Sequence, residues 1–210
     1  MISKGIQKKG ILSKLLEQAL RILLKKECKN ISKLEIDIIS SSSQVIKGEI
    51  QKININAEDI NYKDLLLDKI EIKADQIKVN FKFKNKELYF KNNPIIEFKI
   101  SLSGNSLKKI LSSDNWKWIE NMISEEVLNQ NKIEDIRIYN NKLLIKSTNK
   151  DNIINNIEQI NINTAKGKIF LENIKIKSSF HLPIEDKIYI KNVFIENDLI
   201  HIFANSSVNF

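Results

Sequence analysis

Cysteine, glycine, proline and histidine are all scarce in this chain of 210 residues, with one Cys, five Gly, two Pro and two His. The lone thiol, Cys28, has no partner for an internal disulfide, which excludes a disulfide scaffold. The same shortage excludes Cys₄ and Cys₂His₂ zinc modules within one chain. Neither G-x-G-x-x-G nor G-x-x-x-x-G-K-[ST] occurs, so the two common glycine-rich phosphate cradles are missing and a dinucleotide fold is disfavoured. Apolar runs are short. Lys14, Glu17 and Arg21 break the leading one before it reaches the length of an export signal or a membrane span, and no other stretch qualifies. The protein is therefore expected in the cytoplasm, in a reducing compartment, peripheral to the inner face of a membrane.

What is present is an Ile-, Lys- and Asn-heavy chain with a formal charge of +8. The charge is uneven. Residues 1–30 carry eight Lys or Arg against Glu17 and Glu27, 8 − 2 = +6, which leaves +2 for the remaining 180 residues. A nucleic-acid domain spreads a basic stripe over its folded face. A nearly neutral body with one basic terminal segment points instead to a surface anchor or a solvated leader.

From Gly10 to Lys26 the pattern is helical. Leu12, Leu15, Leu16, Ala19, Leu20 and Leu23 recur at three- and four-residue steps, and Ile11, Ile22 and Leu24 widen the stripe past half the circumference. The remaining arc holds Lys14, Gln18, Arg21 and Lys25. Such a helix suits a curved sheet that wraps it with the basic strip at an opening, or a membrane interface. Packing on an ordinary core with lysines in water is the plain alternative.

After residue 30 the period becomes two. Leu34–Ile38, Ile53–Ile55, Ile70–Ile72, Ile77–Phe83, Ile96–Leu102, Ile136–Ile138, Leu143–Ile145, Ile160–Ile162, Ile169–Leu171, Ile174–Ile176, Ile188–Ile190 and Phe194–Phe203 alternate apolar with Lys, Glu, Asn or Asp. One dry face and one wet face indicate an antiparallel sheet. A three-residue step recurs within it, at Ile50/Ile53, Leu67/Ile70, Ala74/Ile77, Ile133/Ile136, Ile157/Ile160, Leu171/Ile174 and Ile190/Val193. Each step shifts inward parity once, as a bulge, bend or tight turn does, and bulges increase twist. Abundant isoleucine also produces such spacings by chance. Turns are expected at Lys47-Gly48, Asn140-Asn141, Lys166-Gly167 and Asn197-Asp198, where Asn, Asp and Gly tolerate positive φ.

Helices interrupt the strands near 104–128. Ser103-Gly104-Asn105 precedes Leu107, Ile110 and Leu111; Ser113 or Asp114 is then expected to cap a second helix reaching Leu128 with Trp116, Ile119, Ile123 and Val127 on one side. Both tryptophans fall here, serving a core or a headgroup layer. The fold expected is α+β, a strongly curved antiparallel sheet wrapped around helices. Residues 1–29 form a basic amphipathic helix of the same domain, and 30–210 the β-rich body.

Catalytic groupings are missing. His181 and His201 stand apart from each other and from Cys28, G-x-S-x-G is absent, and the acidic pairs Glu125-Glu126 and Glu185-Asp186 diverge at strand or helix spacing. No enzyme activity, cofactor or metal is expected.

The order of features, with the Gly48 turn in Val45-Ile46-Lys47-Gly48-Glu49-Ile50, the alternating Gln51–Ala57 and Leu65–Ile72 stretches, Ile100–Ser103 entering a Leu-rich helix and the Trp116-to-Leu128 segment, resembles the LmeA-like family of bacterial phospholipid-binding proteins. The resemblance runs from about residue 10 to the end. It implies a curved sheet folded around helices, similar to tubular lipid-binding domains, and lipid binding without catalysis. Some relatives carry an export signal, and this chain shows none, which departs from the family.

The expected partner is therefore a phospholipid or an anionic membrane surface. Lys14, Arg21 and Lys25 are the candidate headgroup contacts. Leu12, Leu16, Leu20, Leu23, Trp116 and Ile119 are the candidates for an apolar groove or for insertion. Three cations near anionic lipid contribute about 3 kcal/mol, short of the ~4 kcal/mol of millimolar binding, so apolar insertion has to contribute. Nucleic acid is not expected, because aromatics amount to only 7% and mostly alternate into dry positions. A nucleic-acid module using the basic segment, or a scaffold offering a sheet edge to an unidentified protein, are the alternatives.

Overall fold

The computed structural model describes residues 10–82, 87–148 and 155–207. Lys4, Lys8 and Lys9 of the basic segment, and the Phe83 end of one expected strand, lie outside those residues. The chain begins with α1 (Ile11–Glu27), β1 (Asn30–Ile39) and a short α2 (Ser42–Ile46), followed by β2 (Glu49–Tyr62), β3 (Leu65–Lys82), β4 (Glu87–Phe90) and β5 (Ile95–Ser103). Two helices, α3 (Gly104–Leu111) and α4 (Lys117–Glu126), come next. The rest is β6 (Lys132–Tyr139), β7 (Lys142–Thr148), β8 (Asn155–Ala165), β9 (Lys168–Asn173), β10 (Ser178–His181), β11 (Ile188–Glu196) and β12 (Leu199–Ser207).

The class is α+β, and the strands form two antiparallel sheets. The first runs β1-β2-β3-β5-β12-β11, with β4 paired to the far part of β3; the second runs β10-β9-β8-β7-β6. Alternation in the sequence becomes rows of apolar side chains across the first sheet. One row passes through Ile36, Ile55, Ile72, Phe98, Ala204 and Ile190; its neighbour passes through Ala57, Ile70, Ile100, Ile202 and Val193. Each row buries aliphatic surface on one face while Lys, Glu and Asn occupy the other.

Several three-residue steps are real irregularities of the ladder. Ile50/Ile53 faces Ala74/Ile77 across β2 and β3, and Leu67/Ile70 faces Ala57/Ile60. Both strands change parity together, so the pairing stays in register while Asp59 and Gln76 take φ of 50° and 52°. Net register shifts occur between Ile133 and Asp135 and between Ile190 and Asn192. Two expected steps do not carry side chains inward: Ile157 and Ile174 are 55% and 63% exposed. Ile174–Ile176 is a turn, not a strand, because the chain folds back after Asn173 to pair β10 with β9.

Three of the four expected turns are two-residue hairpins with both central residues at positive φ, at Asn140-Asn141, Lys166-Gly167 and Asn197-Asp198. Lys47-Gly48 instead ends α2 and leads into β2. A further hairpin, at Lys63-Asp64, was not among the expected turns, although Asp64 is of a type that tolerates positive φ. The expected Ser113 or Asp114 cap is also replaced: α4 starts at Lys117 behind Trp116, which makes no side-chain cap bond. Ser103 does cap α3, accepting from the Ser106 N–H at 3.2 Å.

The two sheets are tied at their hairpins. The Asn141 N–H donates to Asp198 Oδ1 at 2.9 Å, and the Asp198 N–H donates to Asn141 Oδ1 at 3.0 Å. Behind α4, buried Asn173 donates to the Val127 carbonyl at 3.1 Å and to Glu158, which also accepts from Ser147 Oγ at 3.1 Å. Asn173→Ala removes one of two donors from buried Glu158 and from the Val127 carbonyl, leaving Ser147 and Ser178, and is expected to cost about 1–3 kcal/mol. Urea unfolding checks this as a lower midpoint with unchanged slope.

Candidate functional site

Helix α1 lies along the free edge of β1, and three of its polar side chains fix its rotation. Ser13, Glu17 and Arg21 are four residues apart and share one face. Ser13 Oγ donates to the Ser40 carbonyl at 2.8 Å, Glu17 Oε1 accepts from the Ile38 N–H at 2.7 Å, and the Arg21 guanidinium donates to the Leu34 carbonyl. An edge strand presents such groups to any pairing partner. With that face turned to the edge, Leu16, Leu20 and Leu24 reach the apolar face of the first sheet. Ile11, Leu15, Ile22 and Leu23 are left outside, Ile11 at 77% and Ile22 at 68% exposure.

Beneath α1 the apolar face is incompletely filled. A groove of about 430 Å³ runs between Leu16 and Leu20 of the helix, Val45 of α2, and the sheet residues Ile50, Ile53, Ile72, Ala74, Ile77 and Ile96. Phe90 and Pro94 close it at the β4–β5 connection. Its lining side chains are all apolar and its volume falls in the range of small-molecule sites. Exposed Ile46 follows the lining residue Val45, and exposed Ile95 sits between lining residues Pro94 and Ile96. Gly48 makes this end possible. Its φ is +74°, its carbonyl accepts from the Val79 N–H at 2.8 Å, and a Cβ would stand 2.1 Å from the Val79 carbonyl oxygen.

A second hollow, of about 190 Å³, lies between the two sheets and helices α3 and α4. Leu65, Leu107, Trp116 and Ile119 line it, with Ile136, Ile145, Leu171 and Ile200 among its other lining residues. A hollow lined by such side chains offers no partner for water.

The structure divides the sequence candidates between these places. Leu16 and Leu20 line the groove, whereas Trp116 and Ile119 line the second hollow. Leu12 is half-buried and Leu23 is on the outer face of α1. Lys14 and Lys25 are exposed, while Arg21 is engaged with the β1 edge. Sequence reasoning missed Val45, Gly48, Phe90 and Pro94 as groove residues. A usable signal was Ser41-x-x-Gln44, which forms a capping box and starts α2.

The reactive side chains are dispersed. Burial, and secondarily the charge of Glu27, pushes the Cys28 thiol above its usual pKa, away from the thiolate form. His201 meets Ser101 Oγ at 3.1 Å through Nδ1 and packs on Phe194, and His181 lies between Phe170 and Phe180. Among the described residues no group of three or more His, Cys, Asp or Glu is placed to hold a metal. Also among them, no helix is long and apolar enough to cross a membrane.

The groove is unfilled, aliphatic and set beneath an amphipathic helix. The model of the LmeA-like phospholipid-binding family matches residues 8–192 of the 210. The chain belongs to that family. No curated protein and no solved structure matches it. Membership makes this LmeA-like protein a member of a lipid-binding family, with a phospholipid as its partner class.

Two measurements bear on the site. Gly48→Ala in the LmeA-like protein is expected to lower stability by about 1–3 kcal/mol through the forced positive φ, with added loss from the contact at Val79; thermal unfolding reads it. Cys28 is expected to react with iodoacetamide more slowly than a free thiol at neutral pH, and to match it after denaturation, as followed by mass spectrometry.

Proposed function

We propose that this LmeA-like protein is a non-catalytic, peripheral phospholipid-binding protein that associates reversibly with an anionic membrane surface. The reading rests on the groove beneath α1. An acyl chain lies against Ile53, Ile72 and Ala74, with the headgroup outside near Lys14 and the outer face of the helix. Ile11, Leu15, Ile22 and Leu23 enter the interface. Each contributes up to about 1.5–3 kcal/mol when fully buried, so four of them outweigh the ~1 kcal/mol supplied by each nearby lysine. Apolar insertion thus dominates, and the lysines set the preference for anionic lipid. The inner face of a membrane is the compartment this charge pattern favours.

Liposome flotation tests the proposal. The protein is expected to float with phosphatidylglycerol vesicles, more weakly with phosphatidylcholine, and less as salt rises. Failure to float with either removes its basis. Leu15→Glu with Ile22→Glu is expected to reduce capture at least tenfold while leaving the unfolding midpoint near wild type, since both side chains are exposed. Ala74→Phe fills the groove and is expected to reduce co-purifying lipid in native mass spectrometry without abolishing flotation.

A further inference from the structure

We propose that the β2–β3 hairpin and the start of α4 form a second lipid-facing surface that docks an anionic bilayer interface. This rests on the lipid-binding reading above but concerns the other end of the first sheet. Strand β2 starts at Glu49, next to the groove residue Gly48, and ends at Tyr62, and its 14 residues separate the two ends by roughly 45 Å at about 3.3 Å per residue.

The residues at this end have the chemistry of a headgroup layer. Trp118 and Tyr62 are 40% and 39% exposed, and the Lys63 ammonium lies 5.2 Å from the Tyr62 ring centre. The rings of Trp116 and Trp118 are 6.4 Å apart. Trp116 donates its indole N–H to the Lys63 carbonyl at 2.9 Å, which locks α4 to the hairpin. Asp64 accepts from Asn115 at 2.8 Å and from Lys29 at 2.6 Å, and the Lys29 bond holds its carboxyl below the usual range. These bonds pin the aromatic end to the hairpin, and Trp and Tyr held at a surface favour the boundary between hydrocarbon and water.

Charge and continuity name the occupant. The last turn of α1 carries Lys25 and Lys26 and leads to Lys29, whose N–H bonds the Asn61 carbonyl at the end of β2. With Lys63 and Lys117 this places five lysines against Glu27, Asp64, Asp114 and Glu120, five against four. Among the described residues, Lys25, Lys26 and Lys117 form no ion pair, so their charge is available to a lipid phosphate. Trp116, Leu65 and Ile119 also line the second hollow, so the patch continues into apolar space that can accept the end of an acyl chain.

Intrinsic fluorescence tests this directly, because the only two tryptophans both lie at this end. Phosphatidylglycerol vesicles brominated on the acyl chains near the glycerol are expected to quench the emission by about two-fold, relative to unbrominated vesicles, as for rings at headgroup depth. Trp116→Phe should retain the quenching through Trp118, and Leu15→Glu with Ile22→Glu should retain it at lipid concentrations that restore capture. Vesicles that capture the protein but leave its emission unquenched overturn the proposal and spare the groove. Quenching that disappears with the α1 substitutions even when capture is restored also overturns it. Absence of capture altogether overturns both. Lipid-free emission that shifts with protein concentration, together with a dimer in light scattering, assigns the patch to a second copy and overturns the bilayer.

Discussion

The first sheet presents one continuous apolar face that its coverings do not match. Its rows of Ile, Leu, Val, Phe and Ala run across six strands. The second sheet and helices α3 and α4 pack near the end that carries Leu65, Leu102 and Ile200. Among the described residues, the other end is covered by α1 and the short α2. Interiors normally reach the density of organic crystals. A single helix held against a strand edge cannot supply side chains across the whole face, and the groove is what remains.

That helix meets two demands with different parts of its circumference. Ser13, Glu17 and Arg21 satisfy backbone groups of β1 and cover its edge against pairing with another chain. Leu16, Leu20 and Leu24 then have one available direction, over the sheet. The remaining apolar residues have no covering among the described residues, so the same rotation that protects the edge leaves Ile11, Leu15, Ile22 and Leu23 in solvent. A wide apolar arc costs solubility unless something covers it, and a bilayer is the cover proposed above.

Much of this was legible in the residues. Alternation located nearly all the strands, the Asn-Asn, Lys-Gly and Asn-Asp pairs located three hairpins, and the three-residue steps marked places where neighbouring strands change parity together. The Lys63-Asp64 hairpin was missed: Asp64 is a turn-tolerant residue whose N–H bonds Asn61 Oδ1, but Lys63 carries no such signal, and the turn is also held by Asn115, Trp116 and Lys29 from elsewhere. Ile157 and Ile174 look inward by spacing but face out. The candidate site was half visible: Leu16 and Leu20 could be chosen from the helix, but Phe90 and Pro94 join them only through the sheet.

Local chemistry along the chain determined which segments are helix, strand and turn, and that apolar surface would exceed what a compact body needs. These depend on side-chain period and on φ preferences of single residues, which act over a few positions. Tertiary structure alone decided that the strands split into two sheets, that Arg21 turns to a backbone carbonyl while Lys14 and Lys25 stay in water, and that the helix leucines and the tryptophans serve separate hollows. Those outcomes depend on register and on helix rotation against a strand edge. Both are set by contacts between residues far apart in sequence, where no local pattern carries the information.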